Sequence, residues 1–459
     1  MTFPFKGQKD RLGRLWRLSW PAIIEQVLNM MVSYVDTAMV GVMGATATAA
    51  VSVNAAPVWL IHGILAGVGV GYSVQISNAV GAKDPERVKR IIRQTFLAAV
   101  VCGLAACGIY EGLGGWIPKW MGAKPEVVPH AIHYMRIYAS TLLFGSFQYI
   151  FSAVLRCMGN TKLPLILNTG ANLLNIVLNF FLIYPTREVL GITIPRAGLG
   201  VEGAAIATAI SIAATGGLMA LVALRQGQYA TTLGEGMVPD RGIIRRAVKL
   251  GLPSAAERAI INIGQITMTA LVAHQLTTAA LAANQIAVTA EGLCYLPAYG
   301  IGYAAIALVG QSVGAGNRED AEAYGTLTAV IGFLLCLVTS ALLFLFAPPL
   351  AGLFNSDPAV VREAALALRA VAFAEPLFAL SIILTNALRG ADDVKFPMMV
   401  GLVCMWVVRV PLACLLVLYF HWGLTGVWGA MAVDLALRGI ACAVRWREKK
   451  WVRLCGLER

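Results

Sequence analysis

Apolar stretches of 20 or more residues recur along the whole chain, and no other sequence feature restricts the fold as strongly. Two examples are residues 163–184 and 396–420. At about 1.5 Å of rise per helical residue, such a stretch crosses a hydrocarbon core of about 30 Å. Only 13% of the residues are charged, whereas soluble domains carry roughly 25%. The sequence therefore predicts an all-α integral membrane protein that crosses the bilayer many times.

The order of the apolar segments predicts twelve transmembrane helices and their orientation. Lys and Arg concentrate before the first segment, between the second and third, at 225–249 and after the last, whereas the alternate connections hold few. Because basic loops stay on the cytoplasmic side, we expect a multi-pass protein of the plasma membrane with both termini cytoplasmic. The net charge of +12 then reflects topology, so we expect no nucleic-acid partner. The predicted helices lie near 15–42, 47–80, 87–114, 131–157, 162–185, 200–226, 245–274, 282–313, 320–346, 360–388, 396–420 and 424–446.

The chain contains an internal duplication at an offset of 232 to 233 residues. Pro21 and Glu25 recur as Pro253 and Glu257, and the ending of the second predicted helix, 78–82, matches 311–315. Leu-Arg followed by Lys-x-Pro also occurs twice, at 155–164 and 388–397. Six helices per copy is an even number, so both copies insert with the same orientation, as parallel repeats around a central cleft. The predicted units are an N-lobe (1–226), a cytoplasmic linker (227–244), a C-lobe (245–446) and a basic cytoplasmic tail (447–459).

Predicted helix 1 carries a stripe of polar side chains inside the membrane. Glu25, Asn29 and Asp36 fall within about 40° of one another at 100° per residue. An ionisable group in a bilayer is costly, so each is a functional candidate. Asp36 could instead serve only to accept hydrogen bonds from a neighbouring helix.

Predicted helix 5 presents four carboxamides on one face, at Asn168, Asn172, Asn175 and Asn179. Unpartnered amides are expensive in hydrocarbon, so these side chains need partners. Their carbonyl oxygens suit a hard cation such as Na⁺ beside a carboxylate. Polar contacts that hold helices together are the alternative interpretation.

The second half carries a different set of intramembrane charges. Glu257, Glu291 and Glu375 lie in predicted helices 7, 8 and 10, and Arg409 lies in helix 11. We expect Arg409 to pair with one of these acids, in either a structural or a substrate-binding role. Asp434 and Arg438 are four residues apart on helix 12, which favours an ion pair within that helix.

Six short motifs are specific: Tyr34-Val35-Asp36-Thr37, residues 155–162 (LRCMGNTK), residues 203–208 (GAAIAT), Gly251-Leu252-Pro253, residues 308–311 (LVGQ) and residues 387–390 (ALRG). These motifs resemble those of the multidrug and toxic compound extrusion (MATE) family. The resemblance covers essentially the whole chain and implies a twelve-helix, two-lobe antiporter that expels organic, often cationic, compounds by entry of Na⁺ or H⁺.

Carried over by motif, the resemblance makes Asp36 the ion-coupling carboxylate, with Asn175, Asn179 and Thr208 beside it. It implies a possible Na⁺ site at Asp36, Asn175 and Asn179. The expected cavity residues are Glu25, Asn29, Tyr34 and Asn172.

Two departures from the family pattern affect the second lobe. Ile261 occupies the position of the helix-7 acid of one subgroup, and Glu257 resembles that of another prokaryotic subgroup. No Asp stands in the middle of helix 10, where Glu375 is a displaced candidate. The possible second-lobe ion sites are therefore Glu257, Glu291 and Glu375.

The sequence predicts a monomeric, cation-coupled (H⁺ or Na⁺) antiporter that exports organic, cationic or amphipathic compounds by alternating access, with no cofactor besides the coupling ion. One alternative is a lipid-linked oligosaccharide flippase of the same superfamily, which would need a strongly cationic cavity, whereas the intramembrane charge here is mainly acidic. A membrane-embedded enzyme is the other, but the chain has no HExxH, Ser/Lys or paired-Asp signature. A nucleotide-driven pump is excluded, because the chain has no GxxxxGK[ST] motif. Position 36 maps onto Met268 in the second half, so we expect coupling to be concentrated in the first.

Overall fold

The computed structural model describes residues 5–41, 45–121, 123, 125–189, 192–232, 234 and 238–457. Within these ranges it describes the backbone but not the side chains of several residues, among them Asp36. The predicted position of the Asp36 carboxylate therefore lies outside the described part of the structure. The side chains not described there are those of 5–8, 33, 36–38, 40–41, 45–48, 52, 56, 185–189 and 192–196.

The first half of the chain folds into helices α1 to α8. Pro21 and Pro57 lie inside the long helices α1 and α2, which each span 37 residues. The helices are α1 (Phe5–Gly41), α2 (Ala45–Gly81), α3 (Pro85–Leu113), α4 (Ile117–Trp120), α5 (Val128–Ser140), α6 (Leu142–Cys157), α7 (Lys162–Leu182) and α8 (Gly200–Leu224).

The second half repeats this order. A short 3₁₀ turn, Gly227–Tyr229, lies in the connection between the halves. The helices are α9 (Arg241–Gln275), α10 (Thr278–Gly314), α11 (Arg318–Leu345), α12 (Ala347–Gly352), α13 (Pro358–Ala372), α14 (Glu375–Gly390), α15 (Lys395–Val403), α16 (Val410–Cys414), α17 (Gly423–Arg447) and α18 (Trp451–Leu454).

The described helices account for the twelve predicted spans. Eight are long and apolar enough to cross a membrane, and two bent pairs, α5 with α6 and α13 with α14, bring the number to ten. The remaining two are α1 and α9, of 37 and 35 residues. They carry more charged residues, including Glu25 and Glu257. The structure thus confirms an all-α transmembrane architecture with two repeats.

Three local features differ from the predicted straight helices. Predicted helices 4 and 10 are each broken, with bends of 54° and 56° between their two segments. Predicted helix 11 runs continuously over Lys395–Tyr419 but contains two π-helical segments, Cys404–Arg409 and Leu415–Tyr419. Pro411 lies between them, where its ring prevents regular α-helical bonding.

An antiparallel hairpin follows α7, in the connection between predicted helices 5 and 6. Strand β1 (Pro185–Val189) pairs with β2 (Ile192–Ala197). The segment is rich in Thr, Val and Ile, which favour extended backbone. The hairpin lies outside the apolar spans and leaves the fold class unchanged.

Reciprocal glycine contacts hold the two halves together at one end of the bundle. A Cβ on Gly81 would lie 1.9 Å from the Gln311 carbonyl oxygen, and one on Gly314 would lie 1.9 Å from that of Asn78. Only glycine permits backbones to approach so closely. This end carries the basic connections, and we call it the basic end. The duplicated 78–82 and 311–315 motif is therefore the crossing point of α2 and α10.

Polar contacts close the same end. Arg11 of α1 forms an ion pair of 2.7 Å with Asp320 of α11, and the Gln311 side chain donates to the Cys157 carbonyl at 2.9 Å. Arg246 of α9 lies 2.7 Å from Asp392 in the connection between α14 and α15, and burial raises the pKa of the Asp392 carboxyl group against the opposing effect of Arg246. The two lobes are therefore joined at the basic end.

Candidate functional site: polar networks within and between the lobes

Two hydrogen-bonded pairs join α1 to α7 in constant register. The Asn168 side chain donates to Glu25, and Asn172 donates to Asn29 at 2.9 Å. In each pair the two partners are 143 residues apart in the sequence. The offset is the same because the two helices run side by side in the same direction. The first pair is buried, whereas the second is accessible. The predicted polar faces of helices 1 and 5 therefore do face each other.

Further along α7, away from the basic end, three of the four predicted coupling residues meet. Asn179 donates to the Asn175 side-chain oxygen at 3.0 Å, and Asn175 donates to the Thr208 hydroxyl at 3.2 Å. Tyr184 ties this end of α7 to α1 by donating to the Met39 carbonyl at 3.2 Å. This chain of two carboxamides and a hydroxyl offers several oxygen atoms to a hard cation.

A buried ion pair occupies equivalent places in both lobes. Arg156 lies 2.6 Å from Glu25, and Arg389 lies 2.8 Å from Glu257. Each pair links the first helix of a repeat to its fourth, and all four side chains are buried. Glu25 and Glu257, predicted as cavity and ion-site residues, are thus engaged with guanidinium groups. Neither arginine was predicted as a site residue, although both belong to the Leu-Arg dipeptide that recurs in the two halves.

A cavity of about 80 Å³ lies between the lobes beside these pairs. Arg156 stacks on the Tyr303 ring at 4.3 Å from its centroid, and Arg258 lies 5.9 Å from that of Tyr299. Among the described residues, Arg258 has no carboxylate within 4.0 Å. Three arginines and two glutamates therefore meet here, whereas mainly acidic charge was predicted inside the membrane. The lining includes Tyr149, Arg156, Ser254, Arg258, Tyr303 and Arg389.

The second lobe holds a pair of adjacent buried carboxyl groups, Glu291 of α10 and Glu375 of α14. Their relative exposures are 3% and 0%, and they lie within interaction distance of each other. Both Glu375 oxygens and Oε1 of Glu291 lack hydrogen-bond partners within the described part of the chain. Glu375 is the first residue after the bend between α13 and α14. The helix break thus delivers this carboxyl group to the bundle interior.

Among the described residues, Arg409 forms its ion pair with Asp434 and not with Glu257, Glu291 or Glu375. Its guanidinium donates to Gln265 at 3.1 Å and lies 3.7 Å from Asp434. Asp434 also accepts two bonds from Arg438, at 2.6 and 2.9 Å, which confirms the predicted pair within α17. Arg409 is the last residue of the first π-helical segment, whose wider turn helps to place it there.

Tyr34, which is predicted to line the cavity, contacts the second lobe. Its hydroxyl donates to the Thr289 carbonyl of α10 at 2.9 Å, and its ring lies edge-on to Phe354 at 6.4 Å. Because both partners belong to the second half, these contacts would break if the lobes moved apart at this level.

This two-lobe arrangement matches a known protein family. The MatE family model matches residues 21–181 and again 253–415, one match in each repeat. The chain belongs to the MATE family. It is a multi-pass membrane transporter of small compounds and not an enzyme.

Curated relatives are similar over nearly their whole length. A protein of Thermotoga maritima described as a probable multidrug resistance protein NorM is 27% identical, with 97% of this chain and 94% of that protein covered. The multidrug resistance protein MdtK of Pectobacterium atrosepticum is 28% identical, with 95% and 94% covered. A solved MATE transporter described as outward-facing has a TM-score of 0.89 at 24% identity, covering 97% of this chain and 96% of that one. This last likeness supports the fold alone.

Proposed function

We propose that this MATE transporter is a multidrug exporter that couples efflux of organic compounds to entry of H⁺ or Na⁺ by alternating access. The observation that carries the proposal is the hydrogen-bonded chain from buried Asn179 through buried Asn175 to half-buried Thr208 in the first lobe. Carboxamide and hydroxyl oxygens on two adjacent helices form a polar site inside the membrane, where an isolated polar group is costly.

The register between α1 and α7 supports Asp36 as the carboxylate of this site. The pairs Glu25–Asn168 and Asn29–Asn172 share an offset of 143 residues. The same offset puts backbone position 36 level with Asn179. A carboxylate at that level would either bind Na⁺ together with amide oxygens or carry a proton.

Cation binding there would be linked to the shape of the first lobe. Neutralising a charge between α1 and α7 lowers the cost of bringing these helices together. If substrate prefers the lobe with the helices apart, the two ligands disfavour each other, which is the condition for antiport.

The charges of the second lobe are proposed to be structural with respect to coupling. Glu257 is held by Arg389, and the positions equivalent to Asn168 and Asn172 are Gly401 and Met405. Glu291 and Glu375 lie on α10 and α14 of the second lobe. We assign them no part in coupling.

The cavity between the lobes favours export of small organic compounds over flipping of a lipid-linked pyrophosphate. Arg156 and Arg389 are each neutralised by a glutamate, so among the described residues that line the cavity only Arg258 supplies excess positive charge. Tyr149 and Tyr303 provide aromatic surface for ring-containing compounds. Amphipathic and cationic molecules with aromatic rings therefore remain the proposed substrates. The basic end, closed in this structure, is proposed to face the cytoplasm.

Reconstituted vesicles provide the test. Efflux of a fluorescent aromatic cation should be driven by an inward H⁺ gradient or an inward Na⁺ gradient imposed separately, and Asp36→Asn should abolish it. Gly170→Ala is a suitable control, since a Cβ at Gly170 meets nothing within 4 Å. Gradient-driven efflux of the same dye by Asp36→Asn at the wild-type rate would show that the coupling site lies elsewhere.

A further inference from the structure

Two buried cysteines lie beside the Glu375 carboxyl group in the second lobe. One ligand atom each from Cys294, Cys336 and Glu375 falls within 4.8 Å of the others. The thiols come from α10 and α11, and the carboxyl group comes from the start of α14. Three helices thus direct soft and hard donor atoms to one point.

The surroundings of this cluster are those of a metal-binding site. Both Glu375 oxygens are buried and lack hydrogen-bond partners among the described residues, so the carboxylate is available as a ligand. The Thr339 hydroxyl lies 3.3 Å from Cys294 Sγ and 3.2 Å from its carbonyl oxygen, which fixes the orientation of that thiol. Glu291, next to Glu375, supplies a second carboxyl group at the edge of the cluster.

We propose that Cys294, Cys336 and Glu375 form a site for a thiophilic divalent cation such as Zn²⁺ or Cd²⁺. Two thiolates and a carboxylate are ligands that such ions accept, with a fourth position filled by Glu291 or water. Binding displaces the two thiol protons, and the Glu375 proton when that group is protonated, so affinity should fall as the pH falls.

The proposed site lies at a mechanically important place. Glu375 follows the 56° bend between α13 and α14, and the cysteines lie on the two neighbouring helices. A bound ion would cross-link three helices at this break. The site is separate from the Asn175–Asn179–Thr208 cluster and does not depend on the proposed coupling mechanism.

Cadmium titration of the purified, reduced full-length protein tests the site directly. One equivalent of Cd²⁺ should produce the ultraviolet thiolate-to-metal charge-transfer absorption. Cys294→Ser and Cys336→Ser should each weaken binding at least about tenfold, since even the loss of an outer-shell partner costs that much. Glu375→Gln should also weaken it. Cys442→Ser is the matched control, a buried cysteine on α17 outside the cluster, and should bind as the wild type does.

Absence of the absorption from the wild type would overturn the proposal, as would its full retention in both serine variants or unchanged affinity in Glu375→Gln. A measurement on the wild type alone guards against variants that do not fold. X-ray absorption at the zinc edge of protein loaded with one Zn²⁺ should show two sulfur neighbours at about 2.3 Å. A shell of nitrogen and oxygen without sulfur would refute the site.

Discussion

Gly314→Ala should prevent the two lobes from closing at the basic end. The new methyl group would lie 1.9 Å from the Asn78 carbonyl oxygen, whereas ordinary contacts begin at 3.4 Å. The obstacle is backbone, which cannot rotate away as a side chain can, so α2 and α10 would have to separate by about 1.5 Å. Overpacking of this kind costs about 1–3 kcal/mol. An equilibrium between closed and open states would shift by about 5- to 150-fold.

Native Cys157 reports this shift. It is buried, lines the cavity between the lobes, and its carbonyl accepts a bond from Gln311. Alkylation of Cys157 by a water-soluble maleimide, quantified by peptide mass spectrometry, should accelerate in Gly314→Ala by the factor given above. Gly217→Ala makes the same change at a position of α8 where a Cβ meets nothing within 4 Å, and should leave the rate unaltered. Equal rates in Gly314→Ala and wild type would refute the close-crossing argument.

Two further predictions concern the buried polar groups. Arg389→Ala leaves Glu257 buried without its partner and should destabilise the protein by about 3–5 kcal/mol, measured as a lower melting temperature in detergent. The double variant Glu257→Gln, Arg389→Met should recover most of this stability. No recovery would contradict the ion-pair account. Thr208→Val removes the acceptor of the Asn175 amide and should cost about 1–3 kcal/mol of cation-binding free energy, so the H⁺ or Na⁺ concentration for half-maximal efflux should rise about 5- to 150-fold. Thr208→Ser keeps the hydroxyl and should stay near wild type. Equal values in all three proteins would count against a coupling role of this cluster.

The sequence was sufficient to predict the fold because a bilayer allows few choices. Most of the long apolar stretches became helices close to their predicted bounds; the sixth, for example, was predicted at 200–226 and spans Gly200–Leu224. The first helix is an exception, since it begins at Phe5 and not near the predicted start at 15. The duplication at 78–82 and 311–315 marked a real contact, the glycine crossing of α2 and α10. The bends before Leu142 and Glu375 were missed, since hydrophobicity alone does not show where an apolar segment changes direction.

The site was only partly predictable for a different reason. Helical periodicity correctly put the asparagines of α7 on the face that meets α1, because spacing within a helix determines which side chains share a face. Partners from other helices depend on tertiary packing, which periodicity does not contain. The pairing of Arg156 with Glu25 and of Arg409 with Asp434 therefore emerged only from the structure.

The central claim is that cation coupling lies in the first lobe, and counting cations per exported molecule tests it most directly. Proteoliposomes would be loaded with a pH indicator or supplied with radioactive Na⁺ while dye efflux is followed. Wild type and Glu375→Gln, which removes a carboxyl group of the second lobe, should move the coupling cation in a fixed ratio to the dye. Asp36→Asn should lose cation movement. A fixed ratio in Asp36→Asn, or its loss in Glu375→Gln alone, would contradict the claim.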